Sequence, residues 1–159
     1  MKRLGLLFIV LFVLVGCGMG ENSDEKETTG EGGKKEQLQE PPSLTVDVQG
    51  ERIQAVKGTY SWDIDNGDGT FTSLIADSAA PPMLIEDQPL TNVKSGANIE
   101  LLFGVEPNNY AINIWDEDEE VERKVELDIS NYIGKLIVEI IGEWDQGTAR
   151  YAFGLNIID

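Results

Sequence analysis

The chain has 159 residues, a formal net charge of −17 at pH 7, one cysteine and no histidine. One cysteine leaves no internal disulfide, and the lack of histidine removes the commonest general base and the commonest transition-metal ligand. Nucleic acid is not an expected partner, because binding to phosphates needs clustered Lys and Arg side chains.

The first residues have the pattern of a secretory signal. Lys2 and Arg3 form a basic head, and residues 4–15 form an apolar run. The run is shorter than the roughly 20 apolar residues that a membrane-spanning helix needs. It therefore predicts export rather than a stable span.

The apolar run ends in Leu14-Val15-Gly16-Cys17, which resembles the lipobox of bacterial lipoproteins. The resemblance implies that residues 1–16 are a signal peptide cleaved before Cys17, and that a diacylglyceryl group is attached to the Cys17 sulfur. The alternative is an ordinary signal peptide with a chance cysteine. Several acyl chains on one residue give lasting attachment, so the mature chain is expected at the cell membrane, facing away from the cytoplasm.

Residues 17–42 are predicted to be the acylated cysteine followed by a flexible acidic linker. The segment is rich in Gly, Glu, Lys, Ser and Thr and has few large apolar residues. Such a composition cannot bury enough surface to offset the entropy of ordering. Loss of Lys2 and Arg3 with the signal peptide changes the charge from −17 to −19, which favours a domain that stands away from anionic lipid head groups.

Residues 43–159 are predicted to form one all-β domain, because apolar residues recur there with the period of two that is typical of strands. No stretch has convincing helical periodicity. The expected fold is an antiparallel β-sandwich, immunoglobulin-like in architecture only, since the Cys…Trp…Cys pattern is missing. The segments with period two are 44–48, 53–64, 71–76, 99–105, 110–114, 121–129, 136–144 and 151–157.

Three motifs make the domain resemble a group of lipoproteins of Gram-positive bacteria. They are GTYSW at 58–62, ADSAAPPML at 76–84 and GEWDQGTARYAFGLNI at 142–157. The resemblance implies a lipid-anchored envelope protein. It implies no activity.

The acid-rich turn at residues 63–69 predicts either a hairpin tip or a calcium loop, with Asp63, Asp65 and Asp68 as the candidate metal ligands. Neither alignment with an EF-type loop places ligands at all the required positions. An Asn66-Gly67 turn would put Trp62 opposite Phe71, both inward, and Asp65 opposite Asp68. An Asp68-Gly69 turn would shift the pairing by four residues and keep the same faces inward, so the register stays open.

The densest acidic run directly follows Trp115, whose parity is opposite to that of Ile112 and Ile114 and therefore places it on the outer face. The run predicts a solvated hairpin loop, or a docking site for a basic partner or cations. A tryptophan exposed beside acids could bind a sugar or a basic peptide. The candidate partner-binding residues are Trp115, Asp116, Glu117, Asp118, Glu119 and Glu120.

Catalysis is not expected. Nucleophilic chemistry at Ser78 would need a partner other than histidine, and no Ser-x-x-Lys spacing is present. Pairs of acids suited to glycoside hydrolysis arise by chance in so acidic a chain. The sequence therefore favours a non-enzymatic binding module without a cofactor, anchored in the membrane and directed at an envelope protein or wall component. The alternative is a divalent-cation-binding module.

The lipid anchor gives the first prediction. Cys17→Ser is expected to abolish labelling by a palmitate analogue and to leave the precursor uncleaved, because the thiol that carries the lipid is gone. Gel mobility and mass spectrometry of the cell-envelope fraction measure both effects. An unacylated mature wild-type protein would contradict the prediction.

Overall fold

The computed structural model describes residues 37–116, 119–124 and 126–159. Within these ranges the chain forms ten strands and one short helix, α1 (Pro81–Leu84). The strands, numbered in chain order, are β1 (Leu44–Val48), β2 (Glu51–Gln54), β3 (Val56–Asp65), β4 (Phe71–Ala76), β5 (Thr91–Lys94), β6 (Ile99–Phe103), β7 (Asn109–Asp116), β8 (Glu119–Lys124), β9 (Gly134–Trp144) and β10 (Gly147–Ile158).

The strands form two sheets. The smaller sheet has the order β2-β1-β6, and the larger has the order β4-β3-β10-β9-β7-β8. β5 pairs in parallel with the end of β10, and the other pairs are antiparallel. The predicted all-β sandwich is confirmed.

The main core lies where alternate residues of the two sheets meet. Leu44 and Val46 of β1 are fully buried, and they belong to the same apolar cluster as Val138 of β9 and Leu155 of β10. The alternation of buried and partly exposed residues along β1 is the period of two that the sequence predicted. Burial of these side chains drives the packing of the sheets.

The opposite, outer face of the larger sheet is partly covered as well. The connection from β4 to β5 contains α1, and the buried Ile85 directly after it packs with Ile137 of β9 and Ala152 of β10. The sequence predicted no helix here. A helix of four residues is too short to give a periodic pattern, so its position could not be read from the sequence.

The folded domain begins before Ser43, the boundary that the sequence predicted. Pro41 and Pro42 are buried, and the indole Nε1–H of Trp62 donates to the carbonyl of Leu38 at 3.2 Å. The Tyr151 hydroxyl donates to the carbonyl of Pro42 at 2.6 Å, and burial raises the pKa of Tyr151. The last residues assigned to the linker are therefore part of the domain.

The predicted signal peptide and Cys17 lie outside the described residues. In the part of the chain that the structure covers, no helix is long and apolar enough to cross a bilayer.

The hairpin between β3 and β4 has neither of the two predicted registers. Trp62 lies opposite Leu74, and Phe71 lies opposite Asp65. This register differs from both predictions by an odd number of residues, which turns every side chain of β4 to the other face. Phe71 is consequently 66% exposed, whereas Trp62 is fully buried as predicted.

The reason for the difference is a five-residue turn, 66–70, in place of a two-residue one. The N–H of Asn66 donates to the carbonyl of Thr70 at 3.0 Å. Gly67 and Gly69 both have a positive φ, of 78° and 87°, which glycine adopts without steric cost. Asp65 and Asp68 are therefore not cross-strand neighbours, and the predicted like-charge pair is absent.

The strand predicted at residues 121–129 is shorter in the structure. β8 ends at Lys124, and the described residues after position 125 form a corner before β9. Ile129 and Leu127 still contact the main core, with Ile129 1% exposed. The alternation of apolar residues thus predicted correctly that Leu127 and Ile129 face the core, but it did not predict where β8 ends.

The register of the hairpin between β3 and β4 predicts unequal effects on stability for Trp62 and Phe71. Trp62→Ala is expected to lower the free energy of unfolding by about 3–5 kcal/mol, because it leaves a cavity in the core. Phe71→Ala is the matched control and is expected to cost at most about 0.5 kcal/mol, as surface changes do. Urea denaturation measures both. A large loss for Phe71→Ala would contradict the observed register.

Candidate functional site

The candidate site lies on the outer face of the larger sheet, across three neighbouring strands. Asn113 of β7 is paired with Glu139 of β9, which is paired with Ala152 of β10. Because paired residues of adjacent strands point to the same face, these three positions form one row. Trp115 and Arg150 lie on the same face beside it.

Glu139 is the centre of a hydrogen-bond network. Its side chain is only 4% exposed. One carboxylate oxygen, Oε2, accepts from Asn113 Nδ2 at 2.9 Å and from Trp115 Nε1 at 3.2 Å. The other, Oε1, accepts from Arg150 Nη1 at 3.0 Å. A buried charge is tolerated only when it is paired and hydrogen-bonded in this way.

Asn113 extends the network to a second carboxylate but leaves one group unsatisfied. Its Nδ2 also donates to Oε2 of Glu120 at 2.8 Å. Its Oδ1 is buried and has no hydrogen-bond partner in the described part of the chain. An unsatisfied buried acceptor costs about 1–3 kcal/mol. The network is therefore not arranged for stability alone.

Two irregularities in strand pairing position the ends of the network. Opposite β10, the pairs Ala149–Tyr60 and Tyr151–Lys57 leave two residues of β3 facing Arg150 alone. Opposite β7, consecutive residues Ile114 and Trp115 pair with Glu122 and Glu120, which leaves one extra residue in β8. Bulges of this kind re-aim side chains and are frequent next to functional sites.

A cavity of about 340 Å³ opens beside the network. Trp115, Glu139 and Arg150 contribute to one part of its wall, and Leu84 with the segment 78–81 contributes to another. The hydroxyl oxygens of Thr59 and Ser78, on its lining, are 3.1 Å apart and hydrogen-bonded. The volume is at the lower end of the range for small-ligand sites, and the mixture of apolar walls with a few fixed polar groups is typical of them.

The structure brings only part of the predicted partner-binding run into this site. Trp115 is on the outer face, as its parity predicted, but it is partly buried against the cluster of Ile85, Ile137 and Ala152. Glu120 joins through Asn113. Asp116 and Glu119 pair at the ends of β7 and β8, so these positions are strand rather than the predicted loop. Glu117 and Asp118 lie outside the described residues.

Sequence reasoning missed Asn113, Glu139 and Arg150. Alternation placed Glu139 on the outer face, where a carboxylate is normally solvated. The sequence did contain an indication that this face is covered. Ile137 and Ile141 lie on the same face of the strand as Glu139, one on each side of it, and apolar residues at such positions indicate a buried face. What covers that face comes from residues more than fifty positions earlier in the chain.

The three candidate metal ligands each accept a hydrogen bond from their own hairpin. Asp63 accepts from the hydroxyl of Ser73, Asp65 from the N–H of Gly67 at 2.8 Å, and Asp68 from the N–H of Thr70 at 2.9 Å. The Thr70 hydroxyl also donates to Asp68 and holds the pKa of that carboxyl below its usual value. Among the described residues, no three acidic or cysteine side chains are grouped to hold a metal ion.

A separate cluster of ionisable groups ties β8 to the corner that follows it. The Lys124 ammonium lies 4.9 Å from the centroid of the Tyr132 ring and 3.3 Å from Oε1 of Glu122. The Tyr132 hydroxyl donates to Glu122 and holds the pKa of this carboxyl below its usual value. The cluster is accounted for by local structure.

Comparison of the chain with models of known protein families, with curated protein sequences and with solved structures finds no match.

The burial of the Glu139 carboxylate predicts that Arg150 contributes more to stability than is usual for a side chain that is 46% exposed. Arg150→Ala removes the cation from Glu139 and is expected to lower the free energy of unfolding by about 2–3 kcal/mol, because a charge is left buried and unpaired. Arg52→Ala is the matched control: Arg52 lies 3.5 Å from Asp47 but is 72% exposed, and surface pairs contribute about 0–1 kcal/mol. Equal losses in chemical denaturation would contradict the burial of Glu139.

The hydrogen bonds at the tip of the β3–β4 hairpin predict that the thermal stability of the protein does not depend on calcium. Since the carboxylates of Asp63, Asp65 and Asp68 accept bonds from separate local donors, the wild-type protein is expected to melt at the same temperature in millimolar calcium and in chelator. Asp65→Asn retains an acceptor for Gly67 and is also expected to be neutral. A calcium-dependent rise in melting temperature that Asp65→Asn abolishes would support the metal site instead.

Proposed function

We propose that the protein is a lipid-anchored, extracytoplasmic binding module of the cell envelope. The lipid on Cys17 holds it at the membrane, and the β-sandwich presents the cavity beside Trp115 to an envelope component. The acidic run next to Trp115 joins the hydrogen-bond network beside this cavity through the bond from Asn113 to Glu120. The anchor rests on the lipobox, and the binding role rests on the geometry of the site.

The observation that supports binding most strongly is the buried network around Glu139. A β-sandwich needs no buried ion pair on its outer face, and replacing buried pairs by apolar residues is often neutral or stabilising. The network also leaves the Oδ1 of Asn113 unsatisfied in the described structure. Glu139 and Arg150 lie in the wall of the cavity, and polar groups that depart from the rules of core packing are typical of a functional site.

The lining of the cavity favours binding over hydrolysis. Glycoside hydrolysis uses two carboxyl groups on either side of the bond that is cleaved. Glu139 is the single carboxyl group in the described lining, and three donors already orient it. The hydroxyl of Ser78 has no histidine to activate it, since the chain contains none.

Site-specific crosslinking tests the proposal in the intact, anchored protein. Acylation consumes the Cys17 sulfur, and the chain has no other cysteine, so Ser78→Cys introduces a unique free thiol at the cavity. A photoreactive label there is expected to form adducts with an envelope component in cells. The control is Ser73→Cys, an exposed position of β4 that does not line the cavity.

Two results would contradict the proposal. Equal adducts from both positions would show non-specific contact with the envelope. No adduct from position 78, with labelling demonstrated by mass spectrometry, would show that the cavity is not in contact with a partner.

A further inference from the structure

We infer that the cavity beside Trp115 binds a neutral saccharide unit. This inference rests on the proposed binding function and specifies the chemistry of its ligand. It follows from the arrangement of donors and acceptors, from the charge of the lining and from the apolar wall.

The first observation is a donor and an acceptor held side by side. Oε1 of Glu139 and Nη1 of Arg150 are 3.0 Å apart. A carboxylate oxygen can accept more than one hydrogen bond, and a guanidinium has five N–H groups. Within the described structure, the Arg150 side chain donates to Glu139 only, and it is 46% exposed. Two adjacent hydroxyl groups match this pair, because one donates to the carboxylate while its neighbour accepts from the guanidinium.

Two hydroxyl groups of the protein, those of Thr59 and Ser78, also line the cavity and can form hydrogen bonds with a ligand. Thr59 and Ser78 share a hydrogen bond of 3.1 Å in which either oxygen can be the donor. A hydroxyl is both a donor and an acceptor and rotates to suit its partner. The Ser78 hydroxyl also donates to the carbonyl of Ala79 at 3.0 Å, and the Thr59 hydroxyl oxygen accepts from the N–H of Ser78 at 3.1 Å. Each oxygen retains one lone pair, so the two groups can accept hydrogen bonds from further hydroxyls of a ring.

The charge of the lining favours a neutral ligand. Glu139 and Arg150 neutralise each other, and both lie in the wall of the cavity. An anion would meet the field of a chain with a net charge of −17, and a cation would find the one carboxylate of the described lining already paired. A ligand that offers hydroxyl groups without charge avoids both penalties.

The apolar part of the lining suits the C–H face of a sugar ring. The indole of Trp115 is held in place by its bond to Glu139, and Leu84 contributes apolar surface elsewhere in the cavity. Tryptophan combines a large apolar surface with a fixed polar group. The cavity of about 340 Å³ has room for one ring, from which a longer glycan could continue into solvent.

The test uses residues 17–159, produced without the signal peptide and with Cys17→Ser, and follows the three tryptophan indole N–H signals by nuclear magnetic resonance. Trp115→Phe identifies the signal of Trp115. The neutral probes are methyl glycosides of glucose, galactose, mannose and N-acetylglucosamine. The charged probes are glucuronate and galacturonate, and glucosamine and galactosamine. We expect at least one neutral probe to shift the Trp115 signal in a saturable manner, and the charged sugars of the same ring to bind about tenfold more weakly or not at all.

Two variants connect such binding to the cavity. Arg150→Lys keeps the positive charge but loses the planar pair of donors, and a loss of about tenfold in affinity is expected. Gly58→Ala adds a methyl group that would lie 3.0 Å from Ser78 Oγ and 3.1 Å from Leu84 Cδ2, closer than most such contacts, and 3.6 Å from the Arg150 carbonyl oxygen, an ordinary contact. It therefore narrows the cavity on the side of Ser78 and Leu84 and leaves the side chains of Glu139 and Arg150 in place. It is expected to weaken binding at least as much, whereas Ser73→Ala should have no effect.

The outcomes separate this inference from the proposed function. Preferential binding of an anionic or cationic sugar, no response to any neutral probe, or binding that Gly58→Ala leaves unchanged would each overturn it. Crosslinking from position 78 to a component that is not a glycan would also overturn it, while leaving the binding module intact.

Discussion

The rest of the structure depends on the antiparallel pairing of β9 with β10. Eleven consecutive residue pairs, from Trp144 with Gly147 to Gly134 with Ile157, connect the two longest strands. One face of this hairpin contributes Val138, Ile140 and Leu155 to the main core. The other face carries the buried carboxylate and its cation. A shift of one residue would exchange the two faces, so the same register determines both the core and the site.

The two faces are buried for different reasons. The inner face is buried by apolar packing, and the Tyr151 hydroxyl within this packing donates to the carbonyl of Pro42. The outer face carries an ion pair, an amide with one unsatisfied oxygen and an indole N–H, held beneath the segment that contains α1. Bulges in β3 and β8 add residues opposite Arg150 and Trp115. These features lower the regularity of the sheet at the cavity, which is why we connect them with binding.

Sequence patterns predicted the parts of the fold that depend on local alternation. Leu44, Val46 and Val48 have a period of two and are buried as expected. The register of the hairpin between β3 and β4 was missed, because its turn has five residues, in which Asp65 and Asp68 accept hydrogen bonds from the N–H groups of Gly67 and Thr70. The role of Glu139 was missed because a distant segment covers it. Local patterns assign residues to a face, but they do not reveal what packs against that face.

The most direct test of the central claim replaces the network by apolar side chains. In the variant Asn113→Leu, Trp115→Phe, Glu139→Met, Arg150→Met the carboxylate and its three donors are removed together, so no charge or N–H group of the network is left buried and unpaired. If the network serves binding, the free energy of unfolding from urea denaturation will equal or exceed that of the wild type, as found when buried ion pairs are replaced by apolar residues. A loss of about 3 kcal/mol or more, the size expected when a structural pair is broken, would show that the network holds the sheet together and would contradict the account.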